Sequence, residues 1–234
     1  MILFIIRHGD PVYTPDSLTQ KGRLQAEAVA KRLAVHGLDR IFVSPKGRAR
    51  MTAQPTCDLL GIQPEIEIFM DESRAMDRFN VPTPGGGRTW IMGARRMEMF
   101  KPENELPRDR WFEAPVFADR PLVKPGYDAL VEESDNFMRR LGFAREGGIY
   151  RRIGPDPGRV ACFCHAGFGC SWLSHLLYQP PQLFWRSFDI NHSSVSVLNF
   201  EGEELCAPMC LSLSDNSHLY ADRLPLQHNN RVDL

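Results

Sequence analysis

Short apolar runs alternate with helical segments through the first 70 residues. Residues 2–6 form a continuous, β-branched run that is typical of a buried parallel strand, and shorter runs follow at 40–43 and 66–69. Helical spacing of apolar residues follows Thr19, and again follows Ser44-Pro45, a pair that predicts an N-cap with proline at the first helical position. This strand–helix alternation predicts an α/β fold, a three-layer α/β/α sandwich with a mostly parallel central sheet.

The segment from about residue 74 to 125 differs in composition and lacks the regular spacing of apolar residues. Prolines, arginines, isolated tryptophans and the triplet Gly85-Gly86-Gly87 replace regular periodicity. We predict an insertion or lid with one or two short helices, because a structureless loop of this length is uncommon in a compact domain. The triplet indicates a flexible loop rather than a phosphate cradle, since no strand precedes it and no Gly-Lys-Ser/Thr follows. We therefore expect one domain over residues 1–234, interrupted by this segment.

Regular patterns return at Gly126, which is expected to open a helix. Further along the chain, the sequence predicts a strand at 159–164, a helix at 168–178, and edge strands at 194–200 and 205–211.

Charge and composition indicate which kinds of binding partner this protein is expected to lack. The net charge of −1 gives no electrostatic sign of a nucleic-acid or membrane partner, and no apolar stretch approaches the length of a membrane span. The N-terminal apolar run is too short for a signal sequence, so we expect a cytoplasmic location. The six cysteines lack a paired zinc-finger spacing and are expected to be reduced structural thiols. For the assembly, the sequence is compatible with a homodimer.

Chemically suggestive residues follow the predicted strands. Arg7-His8 comes after the first, Arg48 lies in the helix after the second, Asp71 and Glu72 follow the third, and His165 follows the strand at 159–164. Ligands of open α/β sheets bind beyond the carboxyl ends of the strands, so these residues are expected to meet at one rim.

Each of these residues alone has an ordinary explanation, such as a turn histidine or a solvated arginine. Together they supply what phosphoryl transfer requires: positive groups for the phosphoryl oxygens, a nucleophile, and an acid for the leaving alkoxide. Guanidinium groups suit this role because their planar donors grip two oxygens at once.

Several stretches also resemble the histidine phosphatase (phosphoglycerate mutase-like) superfamily, and the late stretch 215–220 resembles an uncharacterised bacterial branch of it. The likeness covers nearly the whole chain, and its combination of motifs is more specific than the Arg-His-Gly triplet alone. The matching stretches are 5–9 (Ile-Ile-Arg-His-Gly), 18–22 with Gln25-Ala26, 44–49 with Thr52-Ala53, Gly126, and 164–167 (Cys-His-Ala-Gly).

The resemblance implies a role for each matching residue. His8 would be the phosphorylated nucleophile, Arg7 and Arg48 would bind the phosphate, and His165 would be the second histidine of that pocket. Glu72 would be the general acid, with Asp71 as its rival. The charged groups around His8 should lower its pKa and keep it neutral. The resemblance implies a phosphomonoester hydrolase that acts on a small phosphorylated substrate, with neither metal nor cofactor.

Departures from the family pattern leave the substrate open. Thr14 stands where many relatives have asparagine, and Tyr127-Asp128 stands where many have Glu-Ser. Two alternatives remain: a phosphoglycerate mutase-type transfer, for which Arg95-Arg96 is a weak second-phosphate candidate, and a catalytically silent phospho-ligand binder.

Two further groups of residues have alternative interpretations. His192 and His218 could approach the site from the C-terminal segments, but a structural role is preferred for each. The aromatic residues of the insertion are expected to pack in the core rather than to roof the site; they are Phe79, Trp90, Phe100, Trp111 and Phe112.

Overall fold

The computed structural model describes residues 1–233, and its centre is a six-stranded sheet in the order β13-β11-β1-β10-β4-β5. The central strands are parallel, whereas β11 runs antiparallel to both of its neighbours. The strands are β1 (Ile2–Arg7), β2 (Pro11–Val12), β3 (Ser17–Leu18), β4 (Arg40–Val43), β5 (Glu65–Ile66), β6 (Asn80–Pro82), β7 (Arg88–Trp90), β8 (Phe143–Glu146), β9 (Ile149–Arg152), β10 (Arg159–Cys164), β11 (Val195–Asn199), β12 (Leu205–Cys206), β13 (Met209–Asp215), β14 (Gln227–His228) and β15 (Val232–Asp233).

Helices cover both faces of this sheet. The α-helices are α1 (Gln20–Ala34), α2 (Gly47–Leu60), α3 (Glu72–Arg78), α4 (Ile91–Ala94), α5 (Val123–Arg140), α6 (Ala166–Leu176), α7 (Pro181–Ser187) and α8 (Ser217–Ala221). Short 3₁₀ helices lie at Ile68–Met70, Glu98–Phe100, Pro102–Asn104, Trp111–Glu113 and Pro115–Phe117.

The side chains of β1 point alternately to the two faces of the sheet and so contribute to two separate core layers. Phe4 and Ile6 pack with α1 and α2 on one face, whereas Leu3 and Ile5 pack with α5 and α6 on the other. Successive strand residues point to opposite faces, so a strand covered by helices on both sides must be apolar throughout, as β1 is. The predicted three-layer α/β/α architecture with a mostly parallel sheet is confirmed.

Several predicted helix boundaries match the structure. Thr19 caps α1, and its hydroxyl accepts a hydrogen bond from the Gly22 amide. Gly61 ends α2 in the left-handed conformation with φ 68°, which glycine adopts without the steric cost of a Cβ. The predicted strands at 40–43 and 159–164 are confirmed.

Other predicted elements were wrong in detail. Helix α2 begins at Gly47 with Lys46 as its N-cap, because the Ser44 side chain contacts His165 instead of capping the helix. The strand predicted at 66–69 is only Glu65–Ile66, and its remaining residues form a 3₁₀ turn.

The later boundaries also shift. Helix α5 begins at Val123, before Gly126, and α6 covers Ala166–Leu176 rather than 168–178. The segment 205–211 is split, because β12 pairs with β9 in a separate small sheet.

The segment from 74 to 125 contains the end of α3, the β6–β7 hairpin, α4 and a series of 3₁₀ helices. Its buried residues Phe79, Ile91, Met99 and Trp111 belong to the same apolar core as α5 and α6. The glycine triplet is the exposed turn between β6 and β7, in agreement with the predicted loop.

All six cysteines are free thiols. No helix within residues 1–233 is long and apolar enough to span a bilayer.

Candidate active site

The carboxyl ends of three parallel strands bring His8, Glu72 and His165 together. His8 directly follows β1, His165 directly follows β10, and Glu72 begins α3 after the turn that follows β5. The two imidazole rings lie 5.1 Å apart, and Nδ1 of His165 lies 3.1 Å from Oε2 of Glu72. Both histidines are almost completely buried.

One hydrogen bond defines the tautomer of His8. Its Nδ1 lies 2.7 Å from the carbonyl oxygen of Gly9. A carbonyl only accepts hydrogen bonds, so Nδ1 carries the proton and Nε2 of the neutral ring keeps its lone pair. His8 lines the cavity described below, and Nε2 is therefore the atom that is free to react there.

Close backbone approach explains the glycine that follows His8. An ideal Cβ on Gly9 would lie 2.6 Å from the carbonyl oxygen of Gly22 in α1, and one on Gly22 would lie 2.2 Å from the carbonyl oxygen of Asp10. Neither position has room for a side chain. The two motifs Arg-His-Gly and Thr-Gln-Lys-Gly are thus packed against each other, and this contact fixes the loop that carries His8.

His165 is held between Ser44 and Glu72. Nε2 of His165 lies 2.7 Å from the Ser44 hydroxyl. A hydroxyl that donates to Nε2 leaves the proton of the neutral ring on Nδ1, which faces Glu72. The 3.1 Å approach of Nδ1 to Glu72 is not aligned as a hydrogen bond, so both groups keep bonding capacity for a third partner.

Asp71 is engaged elsewhere. It caps α3 by accepting from the Ser73 amide at 2.8 Å, and it pairs with Lys46 at 3.3 Å. Glu72 lines the cavity with His8, whereas Asp71 is not among the lining residues. The geometry therefore favours Glu72 over Asp71 as the carboxyl group of the site.

The two arginines are each anchored through Nη1. Arg48 donates from Nη1 to Asp16 at 2.8 Å, and Arg7 donates from Nη1 to the Ile190 carbonyl at 2.8 Å and to Asn229 at 2.6 Å. Both side chains are more than nine-tenths buried, and both line the same cavity as His8.

Unsatisfied polar atoms concentrate at this site. Within residues 1–233, thirteen buried side-chain nitrogen or oxygen atoms lack a hydrogen-bond partner, and five belong to this cluster: Nε of Arg7 and Arg48, Nδ1 of His165 and His192, and Oε1 of Glu72. Buried polar atoms are normally paired, because an orphaned donor costs about 1–3 kcal/mol. Four of the five atoms are nitrogens. Nε of Arg7, Nε of Arg48 and Nδ1 of His165 are hydrogen-bond donors, and a group of free donors is what a bound oxyanion requires.

Burial and charge keep the histidines neutral. Burial, followed by the charges of His165 and Arg7, holds the pKa of His8 well below its usual value. Burial, followed by Arg48, Arg7 and Lys46, does the same to the pKa of His165. The expected lowering of the His8 pKa is confirmed in direction, although burial contributes more than the neighbouring charges.

Two cavities meet above these residues. The smaller, about 450 Å³, contains His8, Arg48 and Glu72. The larger, about 830 Å³, extends past His192 towards the C-terminal residues. Arg7, Tyr13, Trp90 and Ala166 border both cavities.

Comparison with known proteins agrees with this geometry. Residues 3–78 match the family model of the histidine phosphatase superfamily (branch 1), a span that includes Arg7, His8, Arg48 and Glu72. Over residues 3–78, this chain is therefore similar to the histidine phosphatase superfamily. No curated protein sequence gives a significant match.

Solved structures of several phosphatases share the fold over nearly the whole chain. A phosphoserine phosphatase from Entamoeba histolytica, solved with 3-phosphoglyceric acid, is 18% identical with a TM-score of 0.61, and the alignment covers 93% of this chain and 98% of the other. A mycobacterial glucosyl-3-phosphoglycerate phosphatase, solved with VO3, is 17% identical with a TM-score of 0.58, covering 92% and 99%. The match over residues 3–78 supports phosphoryl hydrolysis or transfer as the class of chemistry.

His8, Glu72 and His165 also form a set that could hold a metal ion, since their ligand atoms lie within 4.8 Å of one another. The surroundings favour an anion instead. Arg7 and Arg48 line the same cavity as His8 and Glu72, and positive charge near a site opposes a dication. Lys46 adds a third positive group at the rim.

His192 was not named as a site residue, but the structure places it beside the site, as one of the two sequence interpretations allowed. Its ring lies 5.8 Å from that of His8, and its Nε2 lies 2.7 Å from Nη2 of Arg7. His218, by contrast, contacts Ser193 and Arg32 outside both cavities, in agreement with a structural role.

Asp16 and Asn229 are further residues that sequence reasoning missed. Each is an acidic or amide side chain in a loop with no motif around it. The contact that links each to an arginine spans 32 residues for Asp16 and 222 for Asn229.

The segment from 74 to 125 contributes one aromatic residue to the cavities. Phe79 and Trp111 are buried in the core as expected, whereas the expected core packing was wrong for Phe100, whose exposure is 43%. Trp90 instead borders both cavities, and an ideal Cβ on Gly167 would lie 2.3 Å from its ring. Trp90 thus packs against the core, as expected, and also borders the site, which was the alternative that the sequence left open.

The positions that depart from the family pattern lie outside the cavities. Tyr127 is buried and hydrogen-bonded to Ser174, and Asp128 pairs with Lys124 on the surface. Thr14 lines neither cavity, although its neighbour Tyr13 lines both.

The two arginines suggested for a second phosphate point apart. Arg95 pairs with Asp119, and Arg96 borders the larger cavity.

Proposed function

We propose that the protein is a metal-independent phosphomonoester hydrolase that works through a phosphohistidine on His8. The observation that carries this proposal is the hydrogen bond from Nδ1 of His8 to the Gly9 carbonyl. It leaves an unprotonated Nε2 in a buried cavity beside two arginines. A neutral imidazole fixed in this tautomer is an activated nucleophile without the help of a separate base.

In the first step, Nε2 of His8 forms a bond to phosphorus as the bond from phosphorus to the leaving oxygen breaks. Glu72, which must begin protonated, gives its proton to that oxygen. The products are an alcohol, phosphorylated His8 and the Glu72 carboxylate. The position of Glu72 at the cavity wall beside His165 supports this role.

In the second step, the Glu72 carboxylate takes a proton from water while the water oxygen attacks phosphorus. The P–N bond breaks, and phosphate leaves with neutral His8 and protonated Glu72 restored. The same carboxyl group thus serves first as acid and then as base.

The remaining residues bind the phosphoryl group. The free Nε–H groups of Arg7 and Arg48 and Nδ1–H of His165 are donors without protein partners. Donors held in place before the reaction stabilise the charge of the transition state without the cost of reorientation. Because Asp16 and Ser44 anchor two of these groups, little reorganisation is needed.

The substrate class that fits is a small molecule that carries one phosphate ester. Tyr13 and Trp90, which border both cavities, offer an aromatic surface for the leaving group next to the phosphoryl group. The solved relatives are named for phosphoserine and for glucosyl-3-phosphoglycerate, which are both small phosphate esters.

Hydrolysis of p-nitrophenyl phosphate tests this function. The wild-type protein should turn over, and His8→Ala should lower the rate by at least about 10⁴-fold, because it removes the nucleophile. His36→Ala, which changes an exposed histidine at the end of α1, is the matched control and should keep wild-type activity. Near-normal activity of His8→Ala would contradict the proposal, and an inactive wild type would favour a silent phospho-ligand binder.

The mutase alternative is tested with 3-phosphoglycerate. A hydrolase should release inorganic phosphate, whereas a mutase should produce 2-phosphoglycerate. Accumulation of 2-phosphoglycerate without phosphate release would replace the hydrolase by the mutase.

A further inference from the structure

The C-terminal turn reaches the guanidinium group of Arg7. Asn229 lies between the short strands β14 and β15, and its Oδ1 accepts a hydrogen bond from Nη1 of Arg7 at 2.6 Å. The carbonyl of Ile190 accepts from the same nitrogen at 2.8 Å, and Nε2 of His192 lies 2.7 Å from Nη2. Three groups from the C-terminal quarter of the chain thus hold an arginine that belongs to β1.

These contacts determine which donors of Arg7 remain. An arginine has five N–H groups. Both hydrogens of Nη1 and one of Nη2 have protein partners, which leaves Nε–H and one Nη2–H. Nε is buried and has no protein partner. The anchors therefore reserve two donors of Arg7 for a ligand.

His192 can serve as an anchor because it stays neutral. Burial, followed by the charge of Arg7, lowers its pKa to about 3. A neutral ring keeps a lone pair on Nε2, which can accept from Arg7, whereas a protonated ring would repel it.

The side chain of Asn229 is itself fixed. Its Nδ2 donates to Asp189 at 3.2 Å, and its amide N–H donates to Oδ1 of Asn191 at 3.1 Å. Because Nδ2 faces a carboxylate, Oδ1 must face Arg7, and the orientation of the amide is determined by its partners. Its φ of 49° is left-handed, a conformation that asparagine adopts more readily than most residues.

We propose that Asn229 is a positioning residue for the phosphate-binding site: its side-chain carbonyl, together with His192 and Ile190, holds Arg7 so that Nε and Nη2 face the phosphoryl oxygens. This inference rests on the proposed function for the identity of the ligand. It adds that a residue at the opposite end of the chain from Arg7 sets the geometry of the phosphate contact.

The test compares Asn229→Ala with Gln227→Ala. Gln227 lies in the same hairpin, but its side chain contacts only Lys21 and Asp233. Asn229→Ala should lower kcat/KM for p-nitrophenyl phosphate about tenfold, since a hydrogen bond to a charged group is lost. The affinity for inorganic phosphate, measured by calorimetry, should fall in parallel. Gln227→Ala should stay close to wild type in both measurements.

A double-mutant cycle separates positioning from a general structural effect. In an Arg7→Lys background, Asn229→Ala should change phosphate affinity less than about twofold, because the interaction that it removes is already absent. An unchanged phosphate affinity of Asn229→Ala, or an equal loss in the Arg7→Lys background, would overturn the proposal. Calorimetry does not need turnover, so an inactive wild type would contradict the proposed hydrolase and leave this test valid.

Discussion

Two walls of the site are built in different ways. The sheet wall consists of His8, Arg48, Glu72 and His165, which lie one to six residues beyond a strand of the central sheet. The outer wall consists of Trp90, His192 and Asn229, which come from the insertion hairpin, the loop before β11 and the C-terminal turn. Arg7 is held by both walls, since it ends β1 and is anchored by His192 and Asn229.

The two walls therefore have different roles in the proposed mechanism: one holds the reacting groups, and the other holds groups that position or select the substrate. The sheet wall carries the proposed nucleophile, the proposed acid and one proposed phosphate-binding arginine, whose positions follow from the pairing of parallel strands. The outer wall carries no group that reacts in the proposed mechanism. We therefore expect the largest losses of turnover from substitutions in the sheet wall, and smaller losses from substitutions in the outer wall.

Removal of the acid should give a large effect that depends on the leaving group. Glu72→Gln cannot protonate an alkoxide, so hydrolysis of alkyl phosphates should slow about 10²–10⁴-fold. Hydrolysis of p-nitrophenyl phosphate should slow far less, because its leaving group needs no proton. Rates with both substrates, measured as a function of pH, check this, and activity on alkyl phosphates should fall on the alkaline side as Glu72 ionises.

Asp71→Asn is the matched control, since Asp71 caps α3 and pairs with Lys46. If Asp71→Asn shows the leaving-group dependence and Glu72→Gln does not, the acid is Asp71.

Acid should destabilise the fold through the histidines of both walls and through His218. The folded-state pKa is lowered for His8 and His165, is about 3 for His192, and is about 4 for His218. The unfolded chain binds these protons below about pH 6.5, so stability is full above that pH and is lost as pH falls. Each histidine that stays unprotonated in the fold at pH 5 should lower the free energy of unfolding by about 2 kcal/mol. Urea denaturation at pH 7 and pH 5 measures this, and equal stabilities would contradict the burial of neutral histidines.

Substitution of Trp90 should alter substrate preference. Trp90→Ala removes an aromatic surface shared by both cavities, so kcat/KM for bulky substrates should fall about tenfold. The affinity for inorganic phosphate should change little, because its oxygens contact the arginines. Phe100→Ala, in the same insertion but largely exposed, is the control. An equal loss for phosphate and for bulky substrates would remove the distinction between the two walls.

Metal removal should have no effect. Exhaustive EDTA treatment is expected to leave turnover unchanged, because Arg7 and Arg48 supply the positive charge that metal ions supply in two-metal phosphatases. Restoration of a lost activity by a divalent ion would instead assign His8, Glu72 and His165 as metal ligands.

The sheet wall could be predicted from sequence because the strands that position it appear as local, periodic patterns of apolar residues. Apolar runs identify β1 and β10, and the polar residue after each run must lie at the carboxyl edge of the sheet. Ser44 shows the limit of this reasoning: its pairing with proline predicted a helix cap, yet its hydroxyl is used by His165, 121 residues away.

The outer wall could not be predicted because its contacts depend on tertiary packing. Asn229 meets Arg7 only after the whole sheet has formed, and no periodic pattern precedes it. His192 looks like an ordinary loop histidine until its distance to Arg7 is known. The expected homodimer stays a prediction.

The central claim is that His8 accepts the phosphoryl group. Rapid acid-free quenching of the wild-type protein with a radiolabelled phosphate ester, followed by peptide mass spectrometry, measures this directly. We expect an acid-labile, base-stable phosphate on the peptide that contains His8, and its absence from His8→Ala. A protein that turns over the ester with no phosphate on His8, or with phosphate on another residue, would contradict a phosphohistidine on His8.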